Sequence, residues 1–237
     1  MAIKTLENIM AHYVSHPTER RTEFYRYYDK KRMLHQQKQL EMLRDVPGDH
    51  LVEIGPFLGF ATALFQAAGF EVKTVDAGTS AVFGKLTVNE HVQSNVRDVT
   101  PEMIKGADAL VCCETLEHLP FSESERVLGV FRDSEIPYVL ISVPYRCFSI
   151  DVRIMKSKFS SFFSWIVKFP SKKFQEFVPD PSDPDGHKWE LGYKGYPVER
   201  LLSALDRTGF DVEAIEYVGV SRSIMILSRN RASTPAA

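Results

Sequence analysis

The sequence predicts an α/β fold, with helices on both faces of a seven-stranded, mostly parallel sheet that ends in an antiparallel pair of strands. Three observations predict it. From residue 50 onward, short apolar runs alternate with longer amphipathic ones, as β-α-β units do when their strands are buried on both faces. The chain has 237 residues, 44% hydrophobic and 25% charged, which is enough to bury the core of one large domain and too apolar for disorder. Near the C-terminus, apolar runs at 212 to 217 and 223 to 227 are separated by five residues. A parallel pair needs a crossover of a dozen or more, so these two strands are antiparallel.

Residues 1 to 48 read as an N-terminal helical cap. Leu6, Ile9, Met10 and Tyr13 recur at helical spacing, Pro17 interrupts, and a second charged helix runs through FYRYYDKKRMLHQQKQLEML to the turn Val46-Pro47-Gly48. Five strands follow, at 51 to 54, 71 to 75, 91 to 94, 109 to 113 and 138 to 143, and residues 49 to 145 form the half of the domain that would hold a cofactor. Residues 146 to 194 have no place in the alternation. Within them, 146 to 176 carry seven Lys or Arg, two acids and seven Phe or Trp, a composition unlike that of a solvated loop. The reading is an inserted lid or substrate-facing segment, because long loops with apolar content of their own are usually functional. Residues 195 to 228 return a helix and the last two strands, and 229 to 237 form a polar tail.

The net charge of −2 is far from the basic balance of a phosphate-binding chain, so no nucleic-acid partner is expected. No run approaches the roughly 18 apolar residues of a membrane helix, and MAIKTLENIM lacks the apolar core of a secretion signal, which predicts a cytoplasmic protein. Cys112, Cys113 and Cys147 make no disulfide framework. No C-x-x-C occurs, and the histidine pair His12 and His16 runs at once into Pro17, so no metal site is expected.

The most informative run is LVEIGPFLGFATALFQAAGFEVKTVDAG, residues 51 to 78: strand, glycine turn, helix, second strand and terminal acid. Gly55 and Gly59 permit a sharp turn and close approach to a ligand, and the helix starting near Gly59 aims its unpaired N–H groups at an anionic group. Asp76, 21 residues beyond Gly55, stands where a strand-end carboxylate accepts hydrogen bonds from both hydroxyls of a ribose. A glycine pair before a helix is also compatible with a purely structural turn.

Six ordered segments resemble the class I S-adenosylmethionine-dependent methyltransferases, in their small-molecule branch, over about residues 48 to 228. EIGPFLG resembles the family's glycine loop, TVDAG its second motif, NVRDVT the acidic position near the adenine, DALVCCETLEHLP the fourth-strand motif, ISVPY the fifth strand, and LLSALDRTGFDVEAIEYV the last helix and following strand. The resemblance implies a Rossmann-like fold, S-adenosylmethionine as cofactor, and methyl transfer to an oxygen or nitrogen of a small molecule. It also implies cofactor contacts from Glu53, Gly55, Gly59, Asp76, Asp98 and Glu114. Phe57 stands where the family carries its central loop glycine, and its ring either crowds the methionine end of the cofactor or turns outward.

Tyr25, Tyr27 and Tyr28 are candidates to close over the methionine carboxylate, or simply pack. If the acceptor is a hydroxyl, a base must take its proton, and His118 and His187 are the candidates. His118 also fits a helix-start histidine that merely orients a loop. Phe163, Trp165 and Trp189 are the acceptor-side candidates. The basic and aromatic insertion fits an amphiphilic or anionic acceptor, a peripheral membrane contact through residues 146 to 176, or a lid packed on its own core.

Three rivals remain. A nicotinamide-dependent oxidoreductase lacks its G-x-G-x-x-G here, and the one Tyr-x-x-x-Lys, Tyr27 to Lys31, precedes the glycine loop. A degenerate binding module would have Phe57 as its lesion. An RNA methyltransferase is favoured only by the basic insertion.

Overall fold

The structure is a computed structural model that describes residues 29–57, 59–78, 90–156, 159–218 and 222–233. The expected helix around Leu6 to Tyr13, and Tyr25, Tyr27 and Tyr28, lie outside the described residues. The first described helix, α1 (Lys30–Met42), is started by Asp29, whose Oδ1 accepts from the N–H groups of Lys31 (3.0 Å) and Arg32 (3.1 Å). A cap of this kind stabilises a helix start by about 1 kcal/mol.

The elements that follow are β1 (His50–Ile54), α2 (Phe60–Ala67), β2 (Glu71–Asp76), β3 (Glu90–Gln93), α3 (Pro101–Ile104), β4 (Ala109–Cys113), α4 (Phe121–Asp133) and β5 (Tyr138–Pro144). Next come β6 (Cys147–Lys156), β7 (Phe159–Pro170), α5 (Val198–Thr208), β8 (Phe210–Val218) and β9 (Ser223–Asn230). The main sheet has the order β3-β2-β1-β4-β5-β9-β8. Its first five strands are mutually parallel, and β9 runs antiparallel to both β5 and β8, as the short C-terminal connection requires.

Strand alternation sends successive side chains to opposite faces, and the core divides accordingly. Val52, Ile54, Leu110 and Cys112 pack with Val127, Leu128 and Phe131 of α4 and Leu201, Ala204 and Leu205 of α5. Leu51, Val72, Ala109, Val111 and Leu140 pack on the other face with Ala61 and Phe65 of α2 and with Leu43 after α1. Glu53 shares the parity of Leu51, so the same alternation that builds the core delivers a carboxylate to the α1/α2 face at the end of β1.

The segment after β5 holds a second, two-stranded sheet. β6 and β7 form an antiparallel hairpin with Cys147 opposite Pro170 and Val152 opposite Trp165. Its base is held by Arg146, whose Nε donates to Glu190 Oε2 at 2.6 Å, and Lys168 Nζ lies 3.3 Å from the centre of the Tyr217 ring on β8. Phe148, Ile150 and Val152 of β6 remain exposed. No helix among the described residues is long and apolar enough to cross a membrane.

Candidate active site

The sheet reverses its strand order between β1 and β4, and in open α/β sheets the crevice beyond the carboxyl ends of such strands receives ligands. A cavity of about 300 Å³ opens there, lined by Glu53, Gly55 and Phe57 from the first strand and loop, by Cys113 of β4 and Glu114 just after it, and by one face of α1. This volume is at the lower end of small-molecule sites.

The glycine loop is shaped by close approach. Gly55 has φ +73°, its N–H donates to the Val75 carbonyl at 2.9 Å, and a Cβ placed on it would come within 2.5 Å of Thr115 Oγ1. Gly59 caps α2 with φ +73°, its N–H donates to the Pro56 carbonyl at 2.8 Å, and no side chain caps that helix. Phe57 is half-buried and holds φ +52°, the left-handed region that the resemblance reserves for glycine. The loop keeps its turn, and the cost falls on the backbone of Phe57.

Glu53 is buried, and Thr62 of α2 donates its hydroxyl to Oε2 at 2.5 Å. Burial pushes its carboxyl up to about 7, the Thr62 hydrogen bond opposes this, and the negative charge of Asp76 adds to it. Asp76 ends β2 and accepts from the N–H of Gly78 at 2.7 Å and from the backbone of Phe57, which tethers the glycine loop to the second strand. Burial raises its carboxyl despite those bonds and the nearby His91.

Glu114 also holds a left-handed backbone, φ +51°, and stands at the end of a relay: Gln39 Nε2 donates to His35 Nδ1 (3.1 Å), His35 Nε2 donates to Ser142 Oγ (3.1 Å), and Ser142 donates to Glu114 Oε1 (2.9 Å). Burial works against its charge, but His35, Ser142 and Ser223 together hold it below the usual carboxylate range. Gln36 and Gln39 also line the wall, and the Oε1 atom of each is buried without a hydrogen-bond partner among the described residues.

The other expected residues are distributed as follows. Asp76 and Asp98 do not line the cavity but share its edge of the sheet; Asp98 is exposed in the 3-10 turn Val96–Asp98 after β3. His118 and His187 form a separate pair beside the buried Glu117, with ring centroids 4.9 Å apart. Phe163 and Trp165 fall on β7, in register with Ile154 and Val152, and their side chains lie outside the described part of the structure.

Trp189 corrects an expectation. It is fully buried, donates from Nε1 to the Leu119 carbonyl at 3.0 Å, and packs against Phe121 and Tyr196, so it supports the fold and faces no acceptor. His35, Gln36 and Gln39 were missed by the sequence reading, because a charged helix shows no sign of which sheet edge it will cover. Glu117 was missed too, although Glu114-x-x-Glu117-His118 groups three ligand-type residues within five positions.

This sheet order is the Rossmann-like fold that solved methyltransferases share. Solved structures bear this out: the N-methyltransferase NodS from Bradyrhizobium japonicum WM9, in complex with S-adenosyl-L-homocysteine, is 10% identical with a TM-score of 0.60, over 95% of this chain and 98% of that one. The magnesium protoporphyrin IX methyltransferase ChlM from Synechocystis PCC 6803, with bound SAM, is 13% identical with a TM-score of 0.56, over 97% and 99%. The glycopeptide N-methyltransferase MtfA, complexed with S-adenosyl-L-methionine, is 16% identical with a TM-score of 0.55, over 85% and 94%. No protein-family model and no curated protein matches the sequence.

Proposed function

We propose that this chain is an S-adenosylmethionine-dependent methyltransferase acting on an oxygen or nitrogen of a small molecule. The observation that carries the reading is the cavity at the strand-order reversal, which a glycine-shaped loop, the buried carboxylate of Glu53 and the amide residues Gln36 and Gln39 line together. Those groups fit the cofactor. Glu53 and the Oε1 atoms of Gln36 and Gln39 accept from an ammonium group, Gly55 admits close contact because it has no side chain, and Asp76 accepts from ribose hydroxyls at the same edge. Bound there, S-adenosylmethionine supplies a methyl group on a positively charged sulfur.

α1 forms one wall of the cavity, and by excluding water it strengthens every charge interaction within. Glu114, kept ionised by its hydrogen bonds, adds negative potential beside the cavity and so favours a cationic ligand. The hairpin leaves Phe148, Ile150 and Val152 exposed, which supports an acceptor or surface with apolar character.

Thermal unfolding with S-adenosylmethionine and with S-adenosylhomocysteine tests the reading. A ligand that binds only the folded chain stabilises it by about 2.7 kcal/mol at one hundred times its Kd. A raised Tm with both, followed by S-adenosylhomocysteine release in the presence of acceptor mixtures, is the expected result. No shift at millimolar ligand would refute cofactor binding and leave the degenerate binding module.

A further inference from the structure

The pair His118 and His187 lies beside a group whose situation is otherwise unexplained. Glu117 is completely buried, neither of its carboxylate oxygens has a hydrogen-bond partner among the described residues, and Oε1 lies 3.9 Å from His187 Nε2. An ionised carboxylate taken from water costs several kcal/mol unless a positive charge compensates it. The three residues each offer one ligand atom, and these atoms all lie within 4.8 Å of one another.

The imidazoles are already oriented. His118 donates from Nδ1 to the Asp185 carbonyl at 2.5 Å, and His187 donates from Nδ1 to Glu190 Oε1 at 2.9 Å, so each keeps its lone pair on Nε2. Holding one ring nitrogen of a histidine with a carbonyl or carboxylate is the usual way a protein fixes the other as a metal ligand. The two segments are locked together by independent contacts: Lys188 N–H donates to the Glu117 carbonyl at 2.7 Å, and Trp189 Nε1 donates to that of Leu119.

We propose that Glu117, His118 and His187 form a binding site for one divalent transition-metal cation. Two imidazoles and one carboxylate suit zinc, manganese, cobalt or iron(II) better than calcium, whose ligands are oxygens. Around such an ion, ligand atoms about 2.1 Å from the metal stand about 3 to 3.5 Å from one another, so small side-chain rotations close the set. Three protein ligands leave coordination positions open. In this role His118 and His187 serve as ligands and not as general bases. The site does not depend on the methyl-transfer reading, because the cation is held by this chain alone.

A second cluster, Asp49, His50 and Asp108, has comparable spacing but is largely exposed, and Asp108 Oδ2 is occupied by the N–H groups of Asp49 (3.0 Å) and His50 (2.9 Å). It carries no orphaned group and serves as the control.

The test uses the full chain, stripped with chelator and titrated with zinc, manganese or cobalt chloride alone by calorimetry, with cobalt also followed by visible absorption. One ion per chain is expected, with affinity falling at least about tenfold in Glu117→Gln and in His187→Ala and unchanged in Asp108→Asn. Circular dichroism of the metal-free variants confirms folding. His187 is one-third exposed, so its alanine variant decides the matter if the Glu117 variant unfolds. No binding up to millimolar metal, or binding that survives His187→Ala, would overturn the proposal.

Discussion

Glu53→Gln isolates the proton that the fold forces onto a buried carboxylate. The folded carboxyl titrates at about 7, against an ordinary value of 4.5, chiefly because it is buried. With the folded value raised, the stabilising contribution is complete below about pH 4.5 and is lost as pH rises to 7, above which it is flat. At about 1.4 kcal/mol per tenfold change in the proton equilibrium, the full interval is worth about 3 kcal/mol, most of it between pH 5 and 8. Glutamine keeps the shape and accepts the Thr62 hydroxyl, but has no proton to lose.

Urea unfolding of both proteins from pH 5 to 8 should therefore show the wild type losing about 2 to 3 kcal/mol relative to the variant as pH rises. The distant Glu117 is present in both proteins, so its contribution cancels in the difference, whereas the repulsion between Asp76 and Glu53 is part of what the difference reads. Parallel stability curves would refute the claim that burial holds the proton on Glu53. If a cationic cofactor group sits against Glu53, its affinity in the wild type should also rise with pH up to about 7, and calorimetry on the variant should show that dependence lost.

Asp76→Ala should weaken S-adenosylhomocysteine binding by at least about tenfold in calorimetry, since hydrogen bonds to a charged group are worth about 1.5 to 3 kcal/mol each. Unchanged affinity would remove the ribose role and leave only the tether to Phe57 and Gly78. Phe57→Gly relieves a left-handed backbone that costs a side chain about 1 to 2 kcal/mol, so Tm should rise by a few degrees. A fall would show that packing of the ring outweighs the strain. Trp189→Ala should destabilise the chain by about 3 to 5 kcal/mol in urea unfolding, because a fully buried indole leaves a cavity. A loss below about 1 kcal/mol would restore it to a surface role.

Much of the fold was legible because its signals are local. The apolar runs at 109 to 113 and 138 to 143 mark central strands through their own composition, and the spacing between 217 and 223 dictates an antiparallel turn. The glycines at 55 and 59 and the acid at 76 are equally local, since a turn and a strand end are written into adjacent residues. The hairpin of β6 and β7 was not read, because its basic and aromatic residues follow no single period and β pairing rewards register across strands more than propensity within one.

The surroundings of the site depended on packing over long distances. That α1 covers the cavity, that Gln36 and Gln39 line it, and that Trp189 is core follow from which faces meet when two layers close on the sheet. The meeting of Glu117 and His118 with His187, about seventy residues further along the chain, has the same origin. Periodicity records which face of an element is apolar, but a contact between remote segments is settled by the three-dimensional competition for burial and hydrogen-bond partners.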